Sequence, residues 1–329
     1  MVKINILLST DDNYAPLTGV LIQSLLENNE KDFTEISIFI LDGGISDKNK
    51  QKLDLIIQSF KIKTNLYFIK YDNIEEIVGI KMTSTISFTS YARLFAASLL
   101  PNDIDEILYL DVDAIVVDSL REVYNMDISD YYLAAVQDMG PEYINTYLNL
   151  PKGTTHYNAG FLLINLKKWR ENNLESKFID CIVEHKGKVY HNDQGIINLA
   201  CKDNILKLDP KYNILSPFFE VGYDNLLKFY GVSDYYSKEM VEDAINNPVF
   251  IHFTQFVYGR PWFNNAQNHP LRDLFDSYVS ETPFEDEIYV DDKRGFFGKF
   301  LSFSYKMFPF SFVCFMFSIY RRLLIKKDI

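Results

Sequence analysis

The first apolar run, residues 3–10 (KINILLST), ends abruptly in acids and reads as a buried strand followed by a loop. From Pro16 to Asn28 the pattern changes, and Leu17, Val20, Leu21 and Leu25 recur at helical spacing. EISIFILD gives a second strand, closed by the turn signal Asp42-Gly43-Gly44. Ser46 is placed to cap a helix running to about Phe60, and NLYFIKYD gives a third strand. This alternation of strands and helices predicts a parallel sheet with crossover helices, an α/β fold. Both faces of such a sheet are covered, so its strands need not alternate. Residues 87–101 (SFTSYARLFAASLLP) predict a helix capped by Thr89 or Ser90 and stopped by Pro101. Residues 106–120 (EILYLDVDAIVVDSL) follow as a strand, then YYLAAVQD. NAGFLLINLKKWR starts as a strand and gives way to a helix near Trp169. NDQGIINLAC reads as a helix with Asn192 or Asp193 in its first turn, and NPVFIHFT as a late strand.

No repeat or low-complexity linker interrupts the chain before about residue 280, which predicts one domain over 1–280 and an appended tail over 281–329. The start, MVKINILLSTDD, lacks an apolar region and cleavage site of signal-peptide type. Cys181, Cys201 and Cys314 are scattered and odd in number, which fits a reducing cytosol better than a disulfide framework or a zinc site. The net charge of −12 is unevenly spread: residues 291–329 hold eight basic and three acidic residues, leaving −17 on the rest. An acidic body disfavours nucleic acid as a partner. The tail's uncharged core, Met307 to Tyr320, is 14 residues long and contains Pro309. A spanning helix needs about 20 apolar residues. Bases flanking aromatic residues predict instead an amphipathic segment lying on a membrane surface, where each base contributes about 1 kcal/mol near anionic lipid. The alternative is a helix packed on the protein's own core. The membrane reading puts the chain in the cytoplasm, peripheral at the inner face of the cell membrane. It predicts that deletion after about residue 290 abolishes liposome binding while the activity of the body toward soluble substrates survives.

Asp111 and Asp113 sit between two apolar runs, where an unpaired charge costs several kcal/mol. If the strand continues through both, their side chains point the same way and repel unless a cation lies between them. A divalent metal is the simplest occupant, and oxygen ligands suit Mg2+ or Mn2+. A hydrated turn between two strands is the alternative.

Six segments then occur in order: STDDNYAPLTGVLIQSLLENN, SYARL, ILYLDVDAIVVDSL, HYNAGFLLINLKKWR, HNDQGIINL and IHFTQFVYGRPW. Together, from about residue 3 to 262, they resemble the bacterial members of glycosyltransferase family 8, most closely the lipooligosaccharide galactosyltransferases and related glucosyltransferases. The resemblance implies a GT-A fold binding a UDP-sugar, with a glycan or glycolipid acceptor. It implies that Asp11, Asn13 and Tyr14 hold uracil and ribose, with Tyr14 stacking, and that Arg93 contacts the donor sugar and diphosphate. Asp111 and Asp113 would bind Mn2+, with His252 as third ligand and Val112 beside the donor. Asp138, Asn158, Asp193 and Gln194 would line the sugar pocket, and Arg260 would lie near the phosphates.

The family retains anomeric configuration, and its far-face residue corresponds here to Gln194, an amide and a poor nucleophile. That favours front-face attack by the acceptor, with Gln194 stabilising the oxocarbenium-like centre and Asp193 as a fallback nucleophile or hydroxyl anchor. The loop after His252 departs from the family: Gln255 stands where glycine is usual, the spacing before Pro261-Trp262 is longer, and Arg260 replaces lysine. A nucleotidyltransferase and a catalytically silent scaffold are the competing classes. The first would favour a Gly-rich, basic phosphate loop after the opening strand, where STDDNYAP stands instead; the second predicts a lost metal ligand.

Overall fold

The structure, a computed structural model, describes residues 2–81, 88–140 and 143–325. Its centre is a seven-stranded sheet built from β1 (Lys3–Thr10), β2 (Glu35–Asp42), β3 (Lys63–Ile69), β4 (Glu106–Leu110), β6 (Leu133–Gln137), β7 (Tyr157–Asn165) and β8 (Ile205–Lys207). The order is β3-β2-β1-β4-β7-β6-β8. Only β7 runs against its neighbours, so the sheet is mostly parallel. Successive side chains point to opposite faces. Ile6, Leu8, Leu108 and Leu110 therefore enter one core, and Leu7, Ile107 and Tyr109 the other. The helix Ala15–Asn29 covers the first face, and the helices Leu174–Glu184 and Asn192–Cys201 cover the second. Ser46 caps the helix Asp47–Gln58 by accepting from the Asn49 N–H at 3.3 Å.

Three features differ from the sequence reading. The strand through both aspartates is broken: β4 stops at Leu110, and β5 (Ala114–Val116) belongs to a second, three-stranded sheet. That sheet has the order β5-β10-β9, with β9 at Ile214–Leu215 and β10 at Phe250–His252. The Asp111 N–H still donates to Gly160 O of the first sheet at 2.8 Å, while Asp113 O accepts from Phe253 N in the second at 2.9 Å. The two carboxylates thus lie on the crossing between sheets. Second, residues Phe88–Phe95 form a 3-10 helix and only Ala96–Leu99 is α-helical. Tyr91, Ala92, Arg93 and Leu94 are all buried there, and packing on every side overrides helical propensity; Ser87 lies outside the described residues. Third, residues 281–290 are integral to the body. Phe284 is fully buried and Phe263 pairs with Val290.

The tail forms two helices, Phe296–Met307 and Phe310–Ile325, separated at Pro309. Leu301, Val313, Cys314 and Phe317 join the body's core, where Phe310 stacks on Phe229 and Phe317 meets it at a tilt. The opposite side exposes Phe296, Phe297, Phe300, Phe303, Met307, Phe308, Phe312 and Phe315. The tail is therefore packed on its own core and also presents an apolar outer face. No helix among the described residues is long and apolar enough to cross a membrane.

Candidate active site

From β1 the chain moves outward to β2 and β3, then returns to the other side of β1 as β4. That reversal opens a crevice at the carboxyl ends of β1 and β4, the usual ligand position in such sheets. Asp11 follows β1 and Asp111 follows β4, and both line a cavity of about 770 Å3. Tyr14, Arg93, Val112, Asp113 and Arg260 line it too, as do Asp138, Asn158, Asp193 and Gln194. Asn13 does not; its N–H donates to Asp11 Oδ1 at 3.0 Å, as does that of Tyr14 at 3.1 Å. Tyr14 as a residue is 42% exposed.

The register of the second sheet brings His252 to the carboxylates, because His252 pairs with Ala114. His252 Nε2 lies 3.2 Å from Asp113 Oδ1 and 3.8 Å from Asp111 Oδ2. Asp111 Oδ1 accepts from Arg93 Nη2 at 2.8 Å and from the Tyr109 hydroxyl at 2.7 Å. Asp113 Oδ2 accepts from Arg260 Nη1 at 2.7 Å. The protein itself therefore supplies counter-charge to both carboxylates. Arg93 is buried, stacks over the Tyr109 ring at 4.1 Å, donates to Ser90 O and Ala159 O, and meets Asp193 Oδ2 at 3.2 Å.

Burial opposes ionisation of Asp113, but Arg260 and His252 outweigh it and hold the carboxyl well below the usual range. Burial likewise opposes charge on His252, yet Asp113 and Asp111 raise its pKa. Asp193 is the opposite case: burial, with Asp111 adding to it, pushes it to about 6 despite Arg93.

One ligand atom from each of Asp111, Asp113 and His252 lies within 4.8 Å of the others. Two carboxylate oxygens and an imidazole suit a divalent ion of the Mg2+ and Mn2+ kind, so these residues fit such a group. A glycine makes the arrangement possible: a Cβ on Gly160 would lie 2.6 Å from the His252 ring.

Gln194 is held on both sides of its amide. Oε1 accepts from the Ala159 N–H at 3.1 Å, and Nε2 donates to Asp138 Oδ2 at 2.7 Å. Nε2 also faces His156 Nε2 at 3.1 Å and His191 Nδ1 at 3.3 Å. The Ala159 donor fixes which end of the amide is oxygen. Asn158 is turned inward, its Oδ1 accepting from the Gly160 N–H and Asn213 Nδ2. Sequence reasoning missed Tyr109, His156, Gly160 and His191, which the chain contributes from three separate stretches. The H-Y-N-A-G and H-N-D-Q-G spacings were the only local signals.

The loop Gln255–Arg260 is bolted to the tail and to a buried acid. Arg294 Nη1 donates to Phe256 O at 2.6 Å while its other nitrogens grip Asp292, and Ser302 Oγ donates to Val257 O. Glu220 Oε2 accepts from the Tyr258 N–H at 2.9 Å. Gly259 takes a left-handed φ of 87°, and a Cβ there would come within 2.8 Å of Phe263 and 3.2 Å of Arg294.

The profile of glycosyl transferase family 8 matches residues 5–266. General stress protein A of Bacillus subtilis (strain 168) is 28% identical over 276 residues, 83% of this chain and 91% of that protein. Lipopolysaccharide 1,2-glucosyltransferase of Escherichia coli is 26% identical over 291 residues, 86% of this chain and 79% of that one. The solved structure of galactosyltransferase LgtC with donor and acceptor sugar analogs matches at TM-score 0.68 and 26% identity, covering 85% of this chain and 96% of that chain. The apo structure of the bifunctional glycosyltransferase WbbM matches at TM-score 0.71, with 23% identity over 87% of this chain and 51% of that one, a likeness of fold alone.

Proposed function

The chain belongs to glycosyl transferase family 8, and from that premise we propose that it moves a hexose, galactose or glucose, from a UDP-sugar to a glycan or glycolipid acceptor with retention of configuration. Its mostly parallel sheet between helices is the GT-A arrangement. The observation that carries the proposal is the cluster of Asp111, Asp113 and His252, flanked by Arg93 and Arg260, at the sheet's switch point. Mn2+, or Mg2+ in its place, held by those three residues would neutralise charge on the departing diphosphate as a Lewis acid.

The other roles belong to side chains. Tyr14 stacks on the uracil, with Asp11 and Asn13 shaping the loop that receives uracil and ribose. Val112, between the carboxylates, lies against the donor. Arg93, fixed by Ser90, Ala159 and Asp111, faces the donor sugar and diphosphate without further reorganisation. Arg260 exchanges Asp113 for the diphosphate when the donor arrives. Asp138 and Asn158 line the sugar pocket. The acceptor hydroxyl attacks the anomeric carbon on the side the diphosphate leaves. The new carbon–oxygen bond forms as the old one breaks, and the hydroxyl proton passes to a diphosphate oxygen. Gln194 Oε1, with one lone pair taken by Ala159, turns the other toward the positive centre. Asp193 is tied to Arg93 and buried, which favours anchoring over nucleophilic attack.

The exposed phenylalanine face of the tail supports docking on a membrane surface, with the acceptor lipid in the same plane. The side chains of Arg321 and Arg322 and all of Lys326 and Lys327 lie outside what the structure describes. A panel of UDP-sugars with Mn2+ tests the reading: one donor should turn over, and Asp113→Ala should lower the rate by at least about 100-fold, the scale of one lost stabilising group. Transfer by that variant at the wild-type rate would refute the metal reading.

A further inference from the structure

A second group of metal-ligating atoms faces the same cavity, with one atom from each of Asp138, His156 and His191 within 4.8 Å of the others. We propose that these three side chains form a separate site for a transition metal of the Zn2+ type, and that an ion bound there displaces the amide of Gln194.

The chain assembles this group from three elements. Asp138 and His156 are cross-strand neighbours at the ends of β6 and β7, where the Asp138 N–H donates to His156 O at 2.8 Å. His191 arrives through a tight turn in which it and Asn192 both take left-handed φ values of 59° and 52°. Its ring stacks on Tyr190 at 4.6 Å, and Tyr190 stacks on Tyr147 at 4.9 Å. Gly195 admits the turn, since a Cβ there would lie 2.0 Å from Tyr190 O. The His191 ring is thereby aimed at the place where His156 and Asp138 already point.

Gln194 Nε2 occupies that place now, at 2.7 Å from Asp138 Oδ2, 3.1 Å from His156 Nε2 and 3.3 Å from His191 Nδ1. An amide nitrogen has two hydrogens and here faces a carboxylate oxygen and two imidazole nitrogens, so it cannot donate a separate hydrogen to each of the three. A cation takes a lone pair from all three. Zinc–nitrogen and zinc–carboxylate distances of about 2.0–2.2 Å are shorter than the contacts to the amide. The ion therefore takes the amide's position and does not sit beside it. Two imidazoles and one carboxylate favour Zn2+, Co2+, Ni2+ or Cu2+, and Mn2+ ranks lowest in the divalent series. The site of Asp111, Asp113 and His252 has the reverse ratio of oxygen to nitrogen. The two sites thus divide metals by ligand chemistry. His156 is 5% exposed, while Asp138 and His191 border the cavity and leave the ion a way in.

Binding stands independently of the proposed transfer; only the consequence, inhibition through loss of Gln194, rests on it. The test is calorimetric titration of the full chain with Zn2+, without nucleotide or sugar and with Mg2+ in excess, alongside the visible spectrum of added Co2+. One Zn2+ equivalent should bind, and Asp113→Ala should keep it. His156→Phe should weaken it at least tenfold and bleach the Co2+ bands. His191→Asn, which keeps a residue at home in the left-handed turn, should do the same with an unchanged melting temperature, which covers the case of a misfolded His156 variant. No Zn2+ binding by the wild type, or binding that Asp113→Ala abolishes and both histidine variants retain, would overturn the proposal. In sugar transfer, Zn2+ should inhibit without relief by added Mn2+. Zn2+ binding by a chain that transfers no sugar would leave this site standing and count against the transfer reading.

Discussion

Replacing Gly160 by alanine should disable the site through a single methyl group. The φ of Gly160 is not in the left-handed region, so alanine fits the backbone and the effect is steric. The added carbon would lie 2.6 Å from Cε1 and Nδ1 of His252 and 3.0 Å from Asn158 Oδ1. Ordinary carbon contact begins at about 3.5 Å, so the ring must retreat by about 1 Å. His252 is buried on a strand and packs near Phe250, so the retreat meets a filled core. Overpacking of this kind costs about 1–3 kcal/mol, enough to lower the melting temperature by a few degrees without unfolding the chain. The retreat pulls Nε2 away from Asp113, and a misplacement of about 1 Å in a catalytic constellation costs on the order of 100-fold in rate. Initial rates across a Mn2+ series, with the donor saturating, and a thermal melt on the same preparation check this. The expected outcome is a higher half-saturating Mn2+ concentration or a lower maximal rate, with a cooperative melt. A folded variant with the wild-type rate and Mn2+ response would refute the placement of His252 as a ligand.

Glu220 gives a pH prediction. Burial pushes its carboxyl to about 8, against the opposing Tyr258 N–H and Arg294. Its neighbour His269, 3.7 Å away, is depressed by burial to about 4, so the two meet as neutral groups and not as an ion pair. The folded state holds the Glu220 proton from an unfolded value of about 4.3 upward, so stability falls as pH rises from there through about 8. Glu220→Gln should flatten that slope and melt higher than wild type at pH 9; parallel melting curves against pH would contradict it. The tail gives another pair. Phe296→Ser with Phe303→Ser should release the protein from anionic vesicles in a sedimentation assay, and unchanged sedimentation would sink the membrane reading. Arg294→Ala should instead raise the donor KM while vesicle binding persists, because it frees the backbone ahead of Arg260. Deletion after residue 290 should therefore damage transfer as well as lipid binding, contrary to what the tail's composition alone suggested.

Much of the fold was legible because the first seventy or so residues, through β3, obey local rules. The opening strands are continuous apolar runs, Leu17, Val20, Leu21 and Leu25 keep a helical period, and Ser46 is a cap with its helix behind it. The break at Asp111 was not legible. Apolar residues continue on both sides of it, and periodicity carries no mark of a strand changing sheets. The 3-10 turn around Arg93 was hidden for a similar reason, since local propensity does not register burial on every side. At the site, Asp111 and Asp113 stood out by themselves, but His252 entered only through resemblance. Its approach depends on the pairing of β5 with β10. The partners of Gln194 come from β6, β7 and a left-handed turn, and no spacing rule links them.

The charge balance around Asp111 and Asp113 bears on the order in which ligands arrive. Two guanidinium groups and an imidazole already face these two carboxylates, so the pair has its counter-charge in place and a lone divalent ion would have to displace it. Under the proposed function, a sugar nucleotide carrying its own divalent ion would bring phosphates for Arg260 and so free Asp113 to help hold that ion. Loading would then be an exchange of partners with hardly any change in total charge. On that reading the site would stay idle in a cell rich in free metal but poor in sugar nucleotide.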